Sequence, residues 1–150
     1  MKIEFEIPTR SLFDECIHQS MIDAQSIVTE SGQSMVGEIA LSEKNDTIFN
    51  IELASQVGLL YTAFADYLHF RETGDGFAFS VATPDIDNPS YVKALAIGVK
   101  DYLKFSMLHW WNLSRNNIAL MTAYNARQEE ARSNILHLIT PKVERPYKYW

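Results

Sequence analysis

Few of the features that mark secreted or membrane proteins occur in this sequence. It contains one cysteine, Cys16, which excludes an internal disulfide and is typical of a reducing compartment. No apolar run reaches the ~20 residues that a bilayer span requires, because charged or amide side chains interrupt every long hydrophobic stretch. The first six residues alternate with acids and lack the apolar block of a signal peptide. We therefore expect a soluble chain that is made in the cytoplasm.

Motifs of known catalytic chemistry are also scarce. The chain has six glycines and no Gly-rich phosphate loop, and it has no Gly-x-Ser-x-Gly, paired-cysteine or His-Glu-x-x-His motif. His109 and His137 lie in apolar sequence, where a histidine is more often a core or interface residue than a base. Active sites can be assembled from scattered residues, so an enzyme is disfavoured and not excluded. We predict a non-enzymatic protein with no catalytic residues and no cofactor.

The apolar content is sufficient for a hydrophobic core. The 150 residues are 47% apolar and 21% charged, which is typical of globular proteins. A chain of this length buries roughly two-thirds of its unfolded surface. We predict a single helical domain with a small sheet over residues 1–140, followed by an extended tail over residues 141–150, where two prolines disfavour a helix.

Charge is distributed unevenly along the chain. Residues 1–100 hold 6 basic and 15 acidic side chains, a net charge of −9, whereas residues 101–150 hold 7 basic and 4 acidic side chains, a net charge of +3. Chance gives such patterns too, but this asymmetry suits head-to-tail contact between copies. The overall charge of −6 argues against the broad basic surface of a nucleic-acid-binding protein.

Two segments have the alternating pattern of half-buried strands. Ile3, Phe5 and Ile7 alternate with charged residues, and after a glycine-rich turn residues 77–82 alternate large and small side chains. We predict that these two segments pair in a two- or three-stranded antiparallel sheet. Residues 33–45 are mixed and predict a loop or a weak strand that ends in a turn.

Apolar residues at intervals of three and four predict a bundle of about four helices. Helix one begins at Thr9 or Ser11 and ends before Gly32, and helix two is capped by Asn45 or Asp46 and extends to residue 71. The predicted buried stripe of helix one is Leu12, Cys16, Ile17, Met21, Ala24 and Val28. The predicted buried stripe of helix two is Phe49, Leu53, Val57, Leu60, Phe64 and Leu68.

Helix three is predicted from Pro89, with Asn88 as its N-cap, to about Asn112, and helix four extends from about 114 to 139. Whether these are two helices or one bent rod stays open. The predicted stripe of helix three is Val92, Ala96, Val99, Leu103, Met107 and Trp110. Adjacent residues point about 100° apart, so Phe105 and Trp111 are displaced from this stripe. Helix three is therefore either the central helix of the fold or contacts another subunit on its second side.

Two residue pairs have the spacing that carboxylate-bridged metal bundles use, Glu15 with His18 in helix one and Asp66 with His69 in helix two. A complete set also needs an inward glutamate from each of two further helices, and helices three and four offer only Asp101 and the Glu129-Glu130 pair. We predict no metal site. A helical-bundle metal-binding enzyme is the alternative, together with a small adaptor module that binds a partner peptide beside Trp110.

The second half of the chain is rich in aromatic side chains, concentrated at residues 105–111 and in the tail. Burial of the three aromatic residues in the tail would contribute on the order of 10 kcal/mol before ordering costs. We expect the tail to dock on its own domain, on a neighbouring subunit or, through stacking and charge, on a nucleic acid. Our hypothesis is that this aromatic surface exceeds what one domain can bury. The predicted interface residues are Phe105, Trp110, Trp111, Arg145, Tyr147, Lys148, Tyr149 and Trp150.

The order of features over residues 46–150 resembles small structural proteins of tailed phages and prophages of gut bacteria. The matching features are a strand from Gly76 to Pro84, Tyr102-Leu103 followed by Trp110, Glu129-Glu130-Ala131-Arg132, and a tail with Arg145-Pro146 that closes on Trp150. The chain departs from the pattern in Tyr147-Lys148-Tyr149, where a more arginine-rich tail is expected.

The resemblance implies a neck, connector or tail-completion protein located in the virion. Copies would form a homo-oligomeric ring between the portal and the tail, with DNA only passing through its lumen. The resemblance implies no catalytic residues. The absence of a bilayer-spanning run predicts no membrane partner.

Overall fold

The computed structural model describes residues 2–25, 40–82 and 89–139. Within these ranges it contains strands β1 (Lys2–Pro8), β2 (Leu68–Glu72) and β3 (Gly76–Ala82). It also contains helices α1 (Thr9–Gln25), α2 (Asp46–Ala63), α3 (Pro89–Ser114) and α4 (Ile118–Ile139), with a short 3-10 turn at Glu43–Asn45. The predicted mainly helical fold with a small antiparallel sheet is confirmed. The predicted N-cap Asn88, the segment 33–39 and the tail lie outside the described residues.

The sheet has the order β1-β3-β2 and is antiparallel throughout. Phe79 in the central strand is level with Phe5 of β1 and with Phe70 of β2, and its ring centroid lies 5.6 Å and 6.4 Å from theirs. This row of rings belongs to the face that packs on the core. On the other face, Arg71 of β2 reaches across β3 to form a 2.6 Å ion pair with Glu4 of β1.

Strand β2 corrects the prediction that helix two extends to Arg71. The helix ends at Ala63, where the Phe64 N–H donates to the carbonyls of Leu60 and Tyr61. Phe64 and Leu68 continue the helical spacing and are buried as predicted, but residues 68–72 pair with β3. Pairing with β3 outweighs the local helical pattern. It satisfies the backbone N–H and C=O groups of β2 and places Phe70 beside the Phe79 ring.

Helix α1 buries a slightly different face from the predicted one. Leu12, Cys16 and Ala24 are in the core as expected, but Met21 is 40% exposed and Ser20 is buried in its place. The Ser20 hydroxyl accepts a 2.9 Å hydrogen bond from the Leu41 N–H, so a polar side chain satisfies a backbone donor of the segment that precedes the 3-10 turn.

Helix α3 is the central helix of the described fold, since α1, α2, α4 and β1 all pack against it. A turn at Arg115–Asn117, with Asn116 at φ 56°, separates it from α4. The two are separate antiparallel helices, because the Tyr91 hydroxyl donates to the Leu138 carbonyl at one end of the pair and Phe105 stacks on Tyr124 further along. The question that the sequence left open is therefore decided in favour of two helices, which end and begin at Ser114 and Ile118.

Candidate interaction surface

The outer side of α2 is apolar. The inner side of this helix is buried in the core through Phe49, Leu53, Val57 and Leu60. On the other side, the exposed fraction is 54% for Ile48, 69% for Ile51 and 56% for Leu59. We call the outer row of Ile48, Ile51, Ser55, Leu59 and Thr62 the α2 surface. All five residues are exposed.

The α2 surface also carries very little charge. Asp46 and Glu52 are the only charged residues of the helix, and Glu52 accepts a 2.9 Å hydrogen bond from the Gln56 amide. The Thr62 hydroxyl donates to the Gly58 carbonyl at 3.0 Å, so its hydrogen is used within the helix. A surface helix of a globular protein is ordinarily polar on its solvent side. Contiguous exposed apolar residues are typical of a site where another molecule binds.

The three described members of the predicted aromatic interface differ in exposure. Trp111 is 3% exposed, and the Arg115 guanidinium lies 4.3 Å from its ring centroid. The structure therefore places Trp111 in the core of its own chain, with almost no area left for a neighbour. Trp110 and Phe105 are half-buried, and the Phe105 ring stacks on Tyr124 with a centroid distance of 6.2 Å.

The remaining predicted interface residues belong to the tail and lie outside the described residues. They are Arg145, Tyr147, Lys148, Tyr149 and Trp150.

The two candidate metal pairs do not come together. Glu15 forms a 2.9 Å ion pair with Lys100, while His18 is exposed on α1. Asp66 lies in the turn after α2 and His69 lies on β2, so that pair does not share a helix face. In the described part of the chain, no group of three or more His, Cys, Asp or Glu side chains is placed to hold a metal ion.

Two buried titratable groups have shifted pKa values. Burial raises the pKa of the Cys16 thiol to about 12, and nearby Lys104 partly opposes this shift. Burial also raises the pKa of Tyr124, as does the hydrogen bond that its hydroxyl donates to Asp23. Asp23 accepts a second hydrogen bond from Gln19 at 3.0 Å. Both shifts favour the protonated, neutral form of the side chain. This form packs well in a core but is a poor nucleophile.

A cleft of about 270 Å³ lies where the β2–β3 turn meets α2 and the start of α1. Its polar lining includes Asn50, Glu72 and Asp75. No cationic side chain is among its lining residues. The cleft therefore lacks a partner for a phosphate or carboxylate ligand.

The α2 surface was not predicted from the sequence, although a signal for it is present there. Ile48, Ile51 and Leu59 lie off the stripe predicted to be buried, so a helix this rich in apolar residues had to expose some of them. Counting apolar residues outside the buried stripe would have identified the surface.

Within the described ranges, no helix combines the length and the apolar character that crossing a bilayer requires. In comparisons with known proteins, no family model, no curated protein and no solved structure matches the chain.

Proposed function

We propose that this protein is a non-enzymatic structural subunit that assembles with copies of itself and with other virion proteins. The observation that carries the proposal is the α2 surface, an exposed apolar row on a helix with two charged residues. Such a surface is costly to leave in water and is stabilised by contact with another protein. Among the described residues, no group of His, Cys, Asp or Glu side chains offers a metal-binding alternative to it.

The energy available from this surface indicates weak individual contacts. Complete burial of an isoleucine or leucine side chain contributes about 1.5–3 kcal/mol. Ile48 and Leu59 are already about half covered, and Ile51 about one-third. Their burial would thus contribute on the order of 3–4 kcal/mol per copy, whereas association costs about 4–15 kcal/mol. Assembly therefore needs several contacts acting together, as in a closed ring.

The resemblance to neck, connector and tail-completion proteins of tailed phages supports a specific place for such a subunit. We propose a homo-oligomeric ring between the portal and the tail, with the portal and other neck or tail proteins as partners and with DNA only passing through the lumen. The half-buried Trp110 and Phe105 and the aromatic tail would make the contact between neighbours. Trp111 is not among these contacts because its own chain encloses it.

Truncation of the tail tests this proposal. Removal of residues 141–150 should abolish oligomers seen by sedimentation velocity at high protein concentration. Helical circular dichroism should be retained, because the last described helix ends at Ile139. Oligomers that persist after truncation would refute the role of the tail. A full-length chain that stays monomeric at every concentration, alone or mixed with the portal and tail proteins encoded beside it, would refute the assembly function.

A further inference from the structure

We infer that the α2 surface binds the same surface of a second copy, with the two α2 helices crossing antiparallel at Ser55. This inference rests on the proposed self-assembly and adds the identity and symmetry of one contact. It differs from the contact proposed for the tail, which joins unlike surfaces of neighbouring copies.

The residue pattern of the α2 surface has the symmetry that such a contact needs. In a two-fold contact the same patch is used by both copies, so the patch must complement itself. Ile51, Ser55 and Leu59 form an i, i+4 row with a small residue at its middle, and Ile48 and Thr62 lie equally far from Ser55 towards the two ends. Rows of this kind pack against each other in the commonest class of helix crossing. Ser55 at the centre permits close approach, and Ile51 and Leu59 flank it.

The charge distribution favours a second copy over other partners. Helix α2 has no Lys or Arg and only two acids, so its outer side neither attracts an acidic partner nor has the flanking cations of a helix that binds a lipid surface. A nearly uncharged apolar partner fits best, and the α2 surface is itself one.

The area of the contact predicts that the pair is weak. An 18-residue helix is about 27 Å long and, at a width of about 10 Å, presents a strip on the order of 300 Å². Stable complexes bury about 800 Å² on each partner, so the pair should form reversibly and only at high protein concentration. A two-fold contact is complete with two copies and cannot propagate. It would therefore pair copies and leave ring closure to the tail.

A cysteine cross-link tests the two-fold axis directly. In the full-length chain, Ser55→Cys places one thiol of each copy beside its counterpart, and oxidation should yield a covalent dimer at high concentration. Ser133→Cys, at an exposed serine of α4, is the matched control and should give several-fold less dimer. The native Cys16 is 1% exposed and should not contribute.

A second pair of variants distinguishes the α2 contact from nonspecific association through exposed apolar residues. Ile51→Lys in the Ser55→Cys chain should reduce the dimer yield at least several-fold. Ile118→Lys should leave the yield unchanged, since Ile118 is as exposed, at 70% against 69%, but lies on α4. Circular dichroism of both variants reports whether each has folded, and neither substitution enters the core.

The possible results distinguish the two proposals. Equal dimer yields from Ser55→Cys and Ser133→Cys, or a yield unaffected by Ile51→Lys, would overturn the α2 pairing. If the wild-type chain still forms tail-dependent oligomers in that case, the proposed function stands without it. Efficient, Ile51-dependent cross-linking in a chain that forms no larger oligomer would support the α2 pair and count against the ring.

Discussion

The buried polar side chains of the helices bond backbone groups close to them. The Ser106 hydroxyl donates to the Tyr102 carbonyl at 2.7 Å, and the Asn112 amide donates to the Leu108 carbonyl at 2.8 Å. Because each polar group is satisfied, its burial costs little. The Asn112 carbonyl in turn accepts hydrogen bonds from the Arg115 and Asn117 N–H groups, which closes the end of α3.

The buried thiol of Cys16 should make stability depend on alkaline pH. Its pKa is raised from 9.0 to about 12 in the folded chain, chiefly by burial. Below pH 9 both states keep the proton and the fold is unaffected. Above it the unfolded thiol ionises first, so the free energy of unfolding should fall by about 1.4 kcal/mol per pH unit until the folded thiol also ionises.

Comparison with a Cys16→Ala variant isolates this contribution from that of tyrosines and lysines. Chemical denaturation at several pH values between 9 and 12 should give a shallower decline for the variant. Identical slopes for the two proteins would contradict the assignment. In the native wild-type chain, a thiol reagent should also react much more slowly than in denaturant, because the thiol is buried and protonated.

The hydrogen bond from Tyr124 to Asp23 connects α4 to the end of α1. Tyr124→Phe removes the donor while keeping the ring that packs on Phe105, so the free energy of unfolding should fall by about 1–2 kcal/mol. Tyr61→Phe is the control, since Tyr61 is exposed on α2 and its ring contacts β2. Urea denaturation of both variants checks this, and equal losses would show that the Asp23 contact contributes nothing specific.

The elements were predictable where a local pattern and the tertiary structure agree. The apolar stripe predicted for helix two is buried along its whole length, including Phe64 and Leu68. The element that carries Leu68 was not predictable, because a strand and a helix can bury the same residue and only the pairing with β3 decides between them. In α1, Ser20 replaced Met21 in the core because the Leu41 N–H needed an acceptor, and no local pattern reveals that need.

Strand β3 begins at a glycine that the fold requires, Gly76. A Cβ atom added at Gly76 would lie 2.2 Å from the Ile7 carbonyl oxygen and 2.8 Å from the Thr9 nitrogen. Both are backbone atoms at the junction of β1 and α1, so they cannot move without disturbing the strand pair. Gly76→Ala should therefore destabilise the fold by about 2 kcal/mol or more.

Gly74, in the turn that precedes β3, provides the matched control. A Cβ atom there meets nothing within 4 Å, so Gly74→Ala should change stability by less than about 0.5 kcal/mol. Thermal unfolding of the two variants gives the comparison. Similar melting temperatures would mean that the β1–α1 junction is more adaptable than its packing indicates.

Across the described fold, the exposed apolar surface differs in chemistry and place from what the sequence indicated. We expected more aromatic surface in the second half of the chain than one domain can bury. In the described fold, however, Tyr102, Trp111 and Tyr124 are buried. Helix α3 accommodates them because it has neighbours on several sides. In the described residues the clearest surplus is aliphatic and lies on α2. Composition could predict that apolar surface exceeds the core, but only the packing of α2 decides which of its sides faces outward.

The uneven charge of the chain and the uncharged α2 surface should respond oppositely to salt. A head-to-tail contact would join the acidic first 100 residues to the basic last 50, and screening shortens the range of that attraction from about 10 Å at 0.1 M salt to about 3 Å at 1 M. Contact through α2 buries apolar side chains and is not weakened by screening. Raising sodium chloride across this range should therefore reduce the tail-dependent oligomers in sedimentation velocity by several-fold and leave the Ser55→Cys cross-linking yield unchanged or higher. A parallel loss of both signals would mean that one charge-driven contact underlies them, since two contacts of such different chemistry cannot share a salt dependence.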